Sequence, residues 1–571
     1  MMNAKWMLYA KKADFRAISE KYGISPVTAR ILRNREVTSE AAINRYLCGT
    51  MADLHSPHLL KDADKAVTIL QEKIATQKRI RIVGDYDIDG VCATYLLYRA
   101  LMRVGAAVDY EIPDRIRDGY GINESIIEAA AADGIDTILT CDNGIAARDQ
   151  IGLAKELGMT VIITDHHDIL HMEGQEVLPP ADAIVNAKQE SCQYPWKEIC
   201  GAVTAYQLIR ILYEVFEIPL SEWEELLEFA AIATVGDVMK LQEENRIIVK
   251  EGLKRIPQTK SVGLRTLIEK NHLDIHHLSA YHIGFVIGPC LNAGGRLQTA
   301  KLALSLLLCQ EEDEAERLAA ELKELNDLRK EMTADSLEKA VRLVEADYMQ
   351  DAVLVVLVPD CHESLAGIIA GRLRERYHKP TFVLTEAEGC VKGSGRSIEA
   401  YSMFEALVEV QDLLLRFGGH PMAAGLSIAA DQVETLRRLL NQNAKLTEED
   451  FIPKIWIDVP MPLEYVTEPL IEELERLEPY GQGNEKPKFA QKNLQSRSTS
   501  VLGKNRNAIK MSLVSEQGTV MDAMLFRDGD AFMQEKGAQS MLDIIYYPVL
   551  HEYNGNRSLQ IIISEYQFPQ K

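Results

Sequence analysis

The chain has 571 residues, 47% hydrophobic and 26% charged, too many for one hydrophobic core, so three or four domains are expected. No apolar stretch approaches the ~20 residues that span a bilayer, and "MMNAKWMLYAKKADF" lacks the pattern of a signal peptide. Nine dispersed cysteines without a C-x-x-C pair point to a reducing compartment, most simply the cytoplasm, and a net charge of −22 argues against coating nucleic acid through bulk electrostatics. A local basic channel is still open to such a chain, with loading that would be sensitive to salt.

Residues 1–50 read as a small helical lead-in, with "SPVTARILRNR" starting at a serine cap. Within 51–240, strand-like runs alternate with helical ones from about 79 onward: "RIRIVG" leads to "VCATYLLYRALMRVG", "DTILTC" to "IAARDQIGLAKELG", and "TVIIT" through a loop to "ADAIVN". That alternation predicts an α/β domain with a parallel sheet. Residues 241–345 are mostly helical and end in the acid-rich "EEDEAERLAAELKELNDLRKEM", which reads as a connector between lobes. A second α/β unit over 346–450 opens with "AVLVVLV" and continues through "PTFVLT" and "VKGSGRS". Over 451–571, short strands separated by Gly/Asn turns predict a small closed barrel.

Chemistry concentrates in four clusters: Asp85, Asp87 and Asp89 in "GDYDIDG", Asp142 in "CDNG", Asp165-His166-His167 in "DHH", and Asp237 in "VGD". The first three follow apolar, β-branched runs. In an open parallel sheet, residues just past the carboxyl ends of the strands share one crevice. Carboxylates with neutral imidazole and no thiolate suit Mn²⁺ or Mg²⁺, and so many acids could not all ionise together without cations. The set predicts a two-metal hydrolase of phosphate esters. An acidic turn, or single aspartates serving as helix caps, is the plain alternative.

The series "GDYDIDG", "CDNG", "DHH" and "GD", in that order, resembles the DHH phosphoesterase superfamily, and "GSGRS" with "RFGGHPMAAG" resembles its DHH-associated domain. Within it, "DRIRDGYGIN", "GPCLNAGGRL", "LEPYGQGN" and the final "EYNGNRSLQ" are similar to the bacterial RecJ family of single-strand-specific 5′→3′ exonucleases. The resemblance covers about residues 50–565 and implies release of mononucleotides from single-stranded DNA in recombination and repair. It implies two divalent cations, Mn²⁺ or Mg²⁺, held by Asp87, Asp89, Asp142, His166 and Asp237 with Asp85 adjacent or among the ligands. Asp142 would bridge the ions, and His167 would touch the scissile phosphate. The DHH-associated lobe would hold the 5′ end through Ser394, Arg396 and His420, with Gly393 and Gly395 allowing close backbone approach. Arg115 and Arg296 are fork donors suited to phosphate oxygens, near Asn292 in the same motif as Arg296. His362 fits either a phosphate contact or a cap. Cys290 and Phe417 depart from the family pattern without removing a charge. The barrel is expected to be an OB-fold that stacks bases in a basic groove. Implied partners are single-stranded DNA, a RecQ-type helicase and a single-strand-binding protein, with no membrane. A short-oligonucleotide or cyclic-dinucleotide phosphodiesterase would lack the barrel, and a non-catalytic scaffold would lack the carboxylates.

Overall fold

The computed structural model describes residues 4–115, 119, 121–553 and 555–569, so Ile116, Arg117, Asp118 and Tyr120 of "DRIRDGYGIN" and Asn554 of "EYNGNRSLQ" lie outside the described residues. Five parallel strands form the first sheet: β1 (Arg79–Val83), β2 (Ala107–Glu111), β3 (Thr137–Cys141), β4 (Thr160–Thr164) and β5 (Ala183–Val185). Their order is β2-β1-β3-β4-β5. Ile82, Leu139 and Ile162 bury into one apolar layer, while Val83, Ile138 and Val161 bury into the layer on the opposite face. Strands covered on both faces read as near-continuous hydrophobic runs, which is why these segments lack polar alternation. Helices α1 (Ile88–Arg103), α2 (Gly201–Val215) and α3 (Leu227–Gly236) pack together beside the sheet. The strand order reverses between β1 and β3, so a crevice opens outside their carboxyl ends.

The helical region after α3 is less of a connector than the sequence suggests. Ile247, Leu264, Leu291 and Leu304 all belong to the core of the first lobe. Helix α4 (Gly288–Leu297) seats against the β1 loop, where a Cβ on Gly295 would fall 2.3 Å from the Tyr86 carbonyl oxygen. Only α5 (Glu312–Leu343) leaves the lobe. Its 32 residues span ~48 Å. Ala315, Leu318 and Leu322 are packed in the first core, whereas Ala340 is packed in that of the second lobe.

The second lobe is a mixed sheet of β6 (Leu354–Leu357), β7 (Thr381–Ala387), β8 (Cys390–Arg396), β9 (Leu414–His420) and β10 (Ala423–Ile428), ordered β9-β10-β8-β7-β6. Helix α6 (Ala366–Tyr377) connects β6 to β7 and buries Ile369, Ala370 and Leu373 against Val383 and Val356. "RFGGHPMAAG" is thus a β-hairpin, and the first four residues of "GSGRS" end strand β8. The last unit closes β11 (Phe489–Leu502), β12 (Ala508–Val514), β13 (Val520–Leu525), β14 (Met541–Tyr553) and β15 (Asn556–Gln567) into a five-stranded barrel, because β11 pairs with both β12 and β14.

The first fifty residues join this barrel and do not form a unit of their own. Strand Lys5–Leu8 pairs in parallel with Lys454–Ile457. Helix Pro26–Asn34, capped by Ser25 as its sequence suggests, buries Ala29, Ile31 and Leu32 in the core that holds Phe489, Leu494 and Tyr546. "LEPYGQGN" is the joint to the catalytic lobe. Asn484 donates to the Leu477 and Pro479 carbonyls and accepts from the Tyr46 hydroxyl, while the Leu241 N–H donates to the Gln482 carbonyl. Beneath it Arg246, 1% exposed, donates to the carbonyls of Tyr46 (3.1 Å), Leu477 (2.8 Å) and Arg476 (3.0 Å), with its guanidinium 4.1 Å from the Tyr46 ring centroid. Two of these acceptors end helix Glu468–Glu475, where a cation offsets the negative pole of the helix. No helix among the described residues is long and apolar enough to cross a membrane.

Arg246→Met should therefore loosen the barrel from the catalytic lobe, taking the guanidinium from the Tyr46 and Arg476 carbonyls at ~1–3 kcal/mol each, while Leu477 keeps Asn484 as a donor. Calorimetry should show a separate, earlier barrel transition, and proteases should gain access to the segment around Leu477. A single transition with a Tm within ~1 °C of the parent protein would refute this role.

Candidate metal centre and nucleic-acid cleft

The carboxyl ends of β1, β3 and β4 deliver three of the four acidic clusters to one crevice, and α3 brings the fourth. Asp87 caps α1, its carboxylate accepting from the N–H groups of Asp89 (3.0 Å) and Gly90 (3.1 Å). One residue into the helix, Asp89 turns the other way and accepts from Gly201 and Ala202 at the start of α2, both at 2.7 Å. A helix N-terminus is a natural seat for a carboxylate. Asp142 sits in the left-handed region (φ 61°), pressed between β3 and Gly201, and a Cβ on Gly201 would approach its Cβ to 2.6 Å. Asn143 fixes that turn by donating to the Val83 and Cys141 carbonyls, which ties the ends of β1 and β3 together. Asp237 is the C-terminal cap residue of α3.

The DHH tripeptide divides its work. The His166 Nε2 faces Asp142 Oδ1 at 3.1 Å, Asp89 Oδ2 at 3.5 Å and Asp237 Oδ2 at 3.7 Å. Asp165 is fully inside, where it accepts from the His167 Nδ1 (2.8 Å), from the His166 and His167 N–H groups, and from the Ile145 N–H. Asp165 thus orients the histidines and does not enter the acidic cluster.

Electrostatics of the crevice are dominated by burial and crowding. Loss of solvent, followed by the neighbouring carboxylates, holds Asp85 and Asp142 well above the usual carboxylate range and lifts Asp237 to about 8. Burial and then Asp89 raise Asp87 too. His166 is pushed down by burial and so favours the neutral form that ligates metals. Burial disfavours the charged form of His167 as well, but the Asp165 hydrogen bond and the surrounding acids prevail and raise it to about 9. Asp165 stays below its ordinary value because those histidines and the Ile145 N–H outweigh its burial.

Three triplets place ligand atoms within 4.8 Å of one another: Asp85-Asp87-Asp142, Asp89-His166-Asp237 and Asp142-His166-His167. Asp142 belongs to two of them. Buried Oδ1 of Asp85 and Nδ1 of His166 have no hydrogen-bond partner among the described residues, which fits sites completed by cations. The donor set is oxygen with imidazole, as Mn²⁺ or Mg²⁺ requires.

Beside this crevice, between the lobes, is a cleft of about 760 Å³ whose lining includes Tyr86, Arg115 and Arg296 of the first lobe and Ser394 and Arg396 of the second. The Arg115 guanidinium lies 4.9 Å from the Tyr86 ring centroid, Arg296 donates to the Ser364 carbonyl at 2.8 Å, and Arg396 donates to the Ser394 hydroxyl at 3.1 Å. Burial and then the Arg115 charge lower Arg296 to about 10, more than the Asp87 charge offsets, and lower Arg396 as well. Gly393 and Gly395 have another reason than close approach of a ligand. Their missing side chains make room for Leu384 and Phe382 on the core face, where a Cβ would fall 2.2 and 2.6 Å from those side chains. On the cleft face the open positions are Gly418 and Gly425, beside which Ser394 stands in register.

Three expected contacts fall elsewhere. His420 does not line the cleft with Ser394 and Arg396. It leans across the gap to 3.9 Å from Asp168, next to the DHH turn. His362 caps the turn Glu363–Leu365, with its Nδ1 2.8 Å from the Ser364 hydroxyl, and does not line the cleft. Asn292 lies on α4 with a buried Oδ1 that lacks a partner among the described residues, also outside the cleft lining. Asn143 and Gly201 carry structural work that motif reading missed. For Gly201 the signal was present as a glycine where a helix begins in "EICGAV".

Comparison with known proteins supplies family context. The model of the DHH family, N-terminal domain, matches residues 79–234, that of the DHHA1 domain residues 350–446, and that of the RecJ OB domain residues 457–565. The chain is 36% identical over 567 residues to the single-stranded-DNA-specific exonuclease RecJ of Bacillus subtilis, covering 98% of this chain and 70% of that one. It is 33% identical over 567 residues to the protein of the same name from Escherichia coli, covering 95% of each. Its structure is similar to that of RecJ from Thermus thermophilus in complex with Mn²⁺, with a TM-score of 0.84, 27% identity, and coverage of 99% of this chain and 80% of that one. For the same protein with Mg²⁺ the TM-score is 0.78 at 27% identity, with 99% and 79% covered.

Two expectations follow from the geometry. Gly201→Ala should displace Asp142 and cut turnover by ~10²-fold or more, as misplacement by an ångström does elsewhere. Turnover within a few-fold of the parent, ~1 kcal/mol in barrier, would show that the turn can yield. The second concerns pH. Asp85, Asp142 and Asp237 take up protons on folding, since their folded values lie above ~3.9. Stability without metal should then fall as pH rises from ~4 toward about 8. Cations relieve that penalty, so the Tm gained with Mn²⁺ should be larger at pH 8 than at pH 6. An equal gain at both, in thermal-shift measurements, would contradict the shared burial of these acids.

Proposed function

The chain belongs to the RecJ family of DHH-domain exonucleases, and on that premise we propose that it degrades single-stranded DNA from the 5′ end to mononucleotides, in recombination and repair. One observation carries the reading. Overlapping sets of ligand atoms, with Asp142 in two of them, lie beside a guanidinium cleft lined by both lobes, and a single helix packed in both cores spans the gap between the lobes.

In this reading Asp85, Asp87 and Asp142 would hold one cation and Asp89, His166 and Asp237 the other, with Asp142 within reach of His166 in the second set. Two divalent ions, Mn²⁺ or Mg²⁺, when bound acidify the attacking water and offset charge on the scissile phosphate and leaving 3′ oxygen. The protein's own residues do the rest. Asp89 and Asp142 are locked by α2 before any ligand arrives, so the acids need no rearrangement to act. His167, charged near neutral pH and held by Asp165, presents a donor to the phosphate. Arg296 and Arg396, with Ser394, take the 5′ phosphate and so count one nucleotide from the end. His420 approaches from the second lobe beside His167, where it would touch the strand at the scissile position. A narrow gap set by α5 admits one strand and not a duplex. The barrel then holds the strand downstream, by stacking within an OB-type groove. The reading extends to the cytoplasm as location, and to a RecQ-type helicase and a single-strand-binding protein as partners.

End-labelled single strands test it directly. In Mn²⁺, a 5′ label should appear at once as mononucleotide while a 3′ label stays on long products. Asp142→Asn, chosen because asparagine tolerates the left-handed backbone, should abolish the reaction with the fold intact. Arg396→Ala should raise KM by ~10-fold or more, as expected for loss of a charge-assisted phosphate contact. Arg396→Lys should recover only part of that loss, since an ammonium lacks the planar fork. Early release of the 3′ label would reverse the polarity, and unchanged KM in both Arg396 variants would move the 5′ grip elsewhere.

A further inference from the structure

The cleft is larger and more positive than a terminal monophosphate needs. Its volume of about 760 Å³ is that of a site for a whole ligand, within the ~300–1,000 Å³ typical of such pockets. Among the described residues only two acids line it, and both are engaged: Glu363 with Lys392 at 2.8 Å and Glu375 with Arg372 at 3.3 Å. That leaves Arg115, Arg296, Arg396 and Arg416 without a carboxylate partner among the described residues. A phosphomonoester end brings only ~2 negative charges.

Register shows where the surplus lies. On the cleft face of the second sheet, Arg396, Ala423 and His420 stand side by side at the end nearest the metal centre, since His420 reaches Asp168. Ser394, Gly425 and Gly418 form the next row, and Lys392, Ser427 and Arg416 the row beyond. Each row is a two-residue step of ~6.5 Å. The middle row is nearly bare, because a Cβ on Gly418 would meet nothing within 4 Å and one on Gly425 only the Gly393 carbonyl oxygen at 3.8 Å. A smooth track thus runs from the inner guanidinium groups to Arg416, which is exposed, away from the metal centre. Ala366 and Gly367, the first residues of α6, form part of its wall.

We propose that this track receives single strands whose 5′ end carries a di- or triphosphate, the inner phosphate between Arg296 and Arg396 and the outer ones reaching Arg416. The proposal rests on the exonuclease reading above and extends its substrate class. The reaction is unchanged. Water oxygen bonds to the phosphorus of the first internucleotide phosphodiester, the bond from that phosphorus to the 3′ oxygen breaks, and the 3′ oxygen takes a proton. The anhydride bonds stay intact. The first product is then a nucleoside 5′-triphosphate with a free 3′ hydroxyl, and the shortened strand begins in a 5′-monophosphate.

The test uses the full chain in Mn²⁺ on one oligodeoxynucleotide made with either a 5′-monophosphate or a 5′-triphosphate, with products separated by anion-exchange chromatography. The triphosphate strand should be degraded with a KM no higher than its partner's, releasing one nucleoside triphosphate per strand and monophosphates thereafter. Arg416→Ala, on an exposed strand position, should raise KM for the triphosphate end by ~10-fold and leave the monophosphate end within ~2-fold. Resistance of the triphosphate strand while the monophosphate strand is digested would overturn the proposal alone. So would release of pyrophosphate or phosphate before any nucleotide, or an equal effect of Arg416→Ala on both ends. Failure on both ends by the parent protein would overturn the exonuclease reading with it.

Discussion

The Asp89 carboxylate is the pin around which the catalytic lobe is assembled. Its two oxygens accept from consecutive N–H groups at the start of α2, at 2.7 Å each. That contact fixes how α1 meets α2 and brings Gly201 against Asp142. It also leaves an Asp89 oxygen 3.5 Å from the His166 Nε2. A buried carboxylate satisfied by a helix N-terminus can stay in place while its neighbours compete for protons. Remove that anchor and Gly201 loses the contact that seats it against Asp142, while the neighbouring acids go on repelling one another.

The division of labour between the two histidines follows from the same economy of partners. His166 has only acids in front of its Nε2 and an unsatisfied Nδ1 behind it, so it is suited to donate a lone pair. His167 is clamped at Nδ1 by a carboxylate that is itself held by three backbone N–H groups, so it is suited to carry a proton. Adjacent residues of one type thus acquire opposite charge preferences from one aspartate between strand and turn.

Much of this was legible in the sequence because the chemistry follows strands. Asp85, Asp142 and His166 each come after β-branched runs, and strand ends of a parallel sheet converge whatever the intervening distance. The barrel was legible from the spacing of its turns. What escaped reading depends on contacts between segments far apart in the chain. Nothing local to Ile31 or Leu32 says that they will bury against Phe489, in a strand near the other end of the chain, so the opening residues looked like a lead-in. The helices before α5 looked like a connector because helical periodicity shows that a face is buried but not in which lobe. Gly393 and Gly395 were assigned to ligand approach, whereas their register partners Leu384 and Phe382 already fill that space. The bare positions that matter for access, Gly418 and Gly425, differ only in lying on the opposite face of the same sheet.

Helix α5 has a consequence for how this architecture can change over time. Because its two ends are packed into different cores, its length acts as a ruler between the halves of the active site. Each residue inserted into or deleted from it would turn the far lobe by ~100° and shift it ~1.5 Å, swinging the guanidinium track out of line with the acids. Changes near seven or eleven residues are the smallest that nearly restore the rotation, and those shift the lobe by more than ~10 Å. Point substitutions on its solvent face cost little, while any change in residue count is disallowed. Outside its buried residues the segment is therefore free in composition and frozen in length, the reverse of an ordinary interdomain linker.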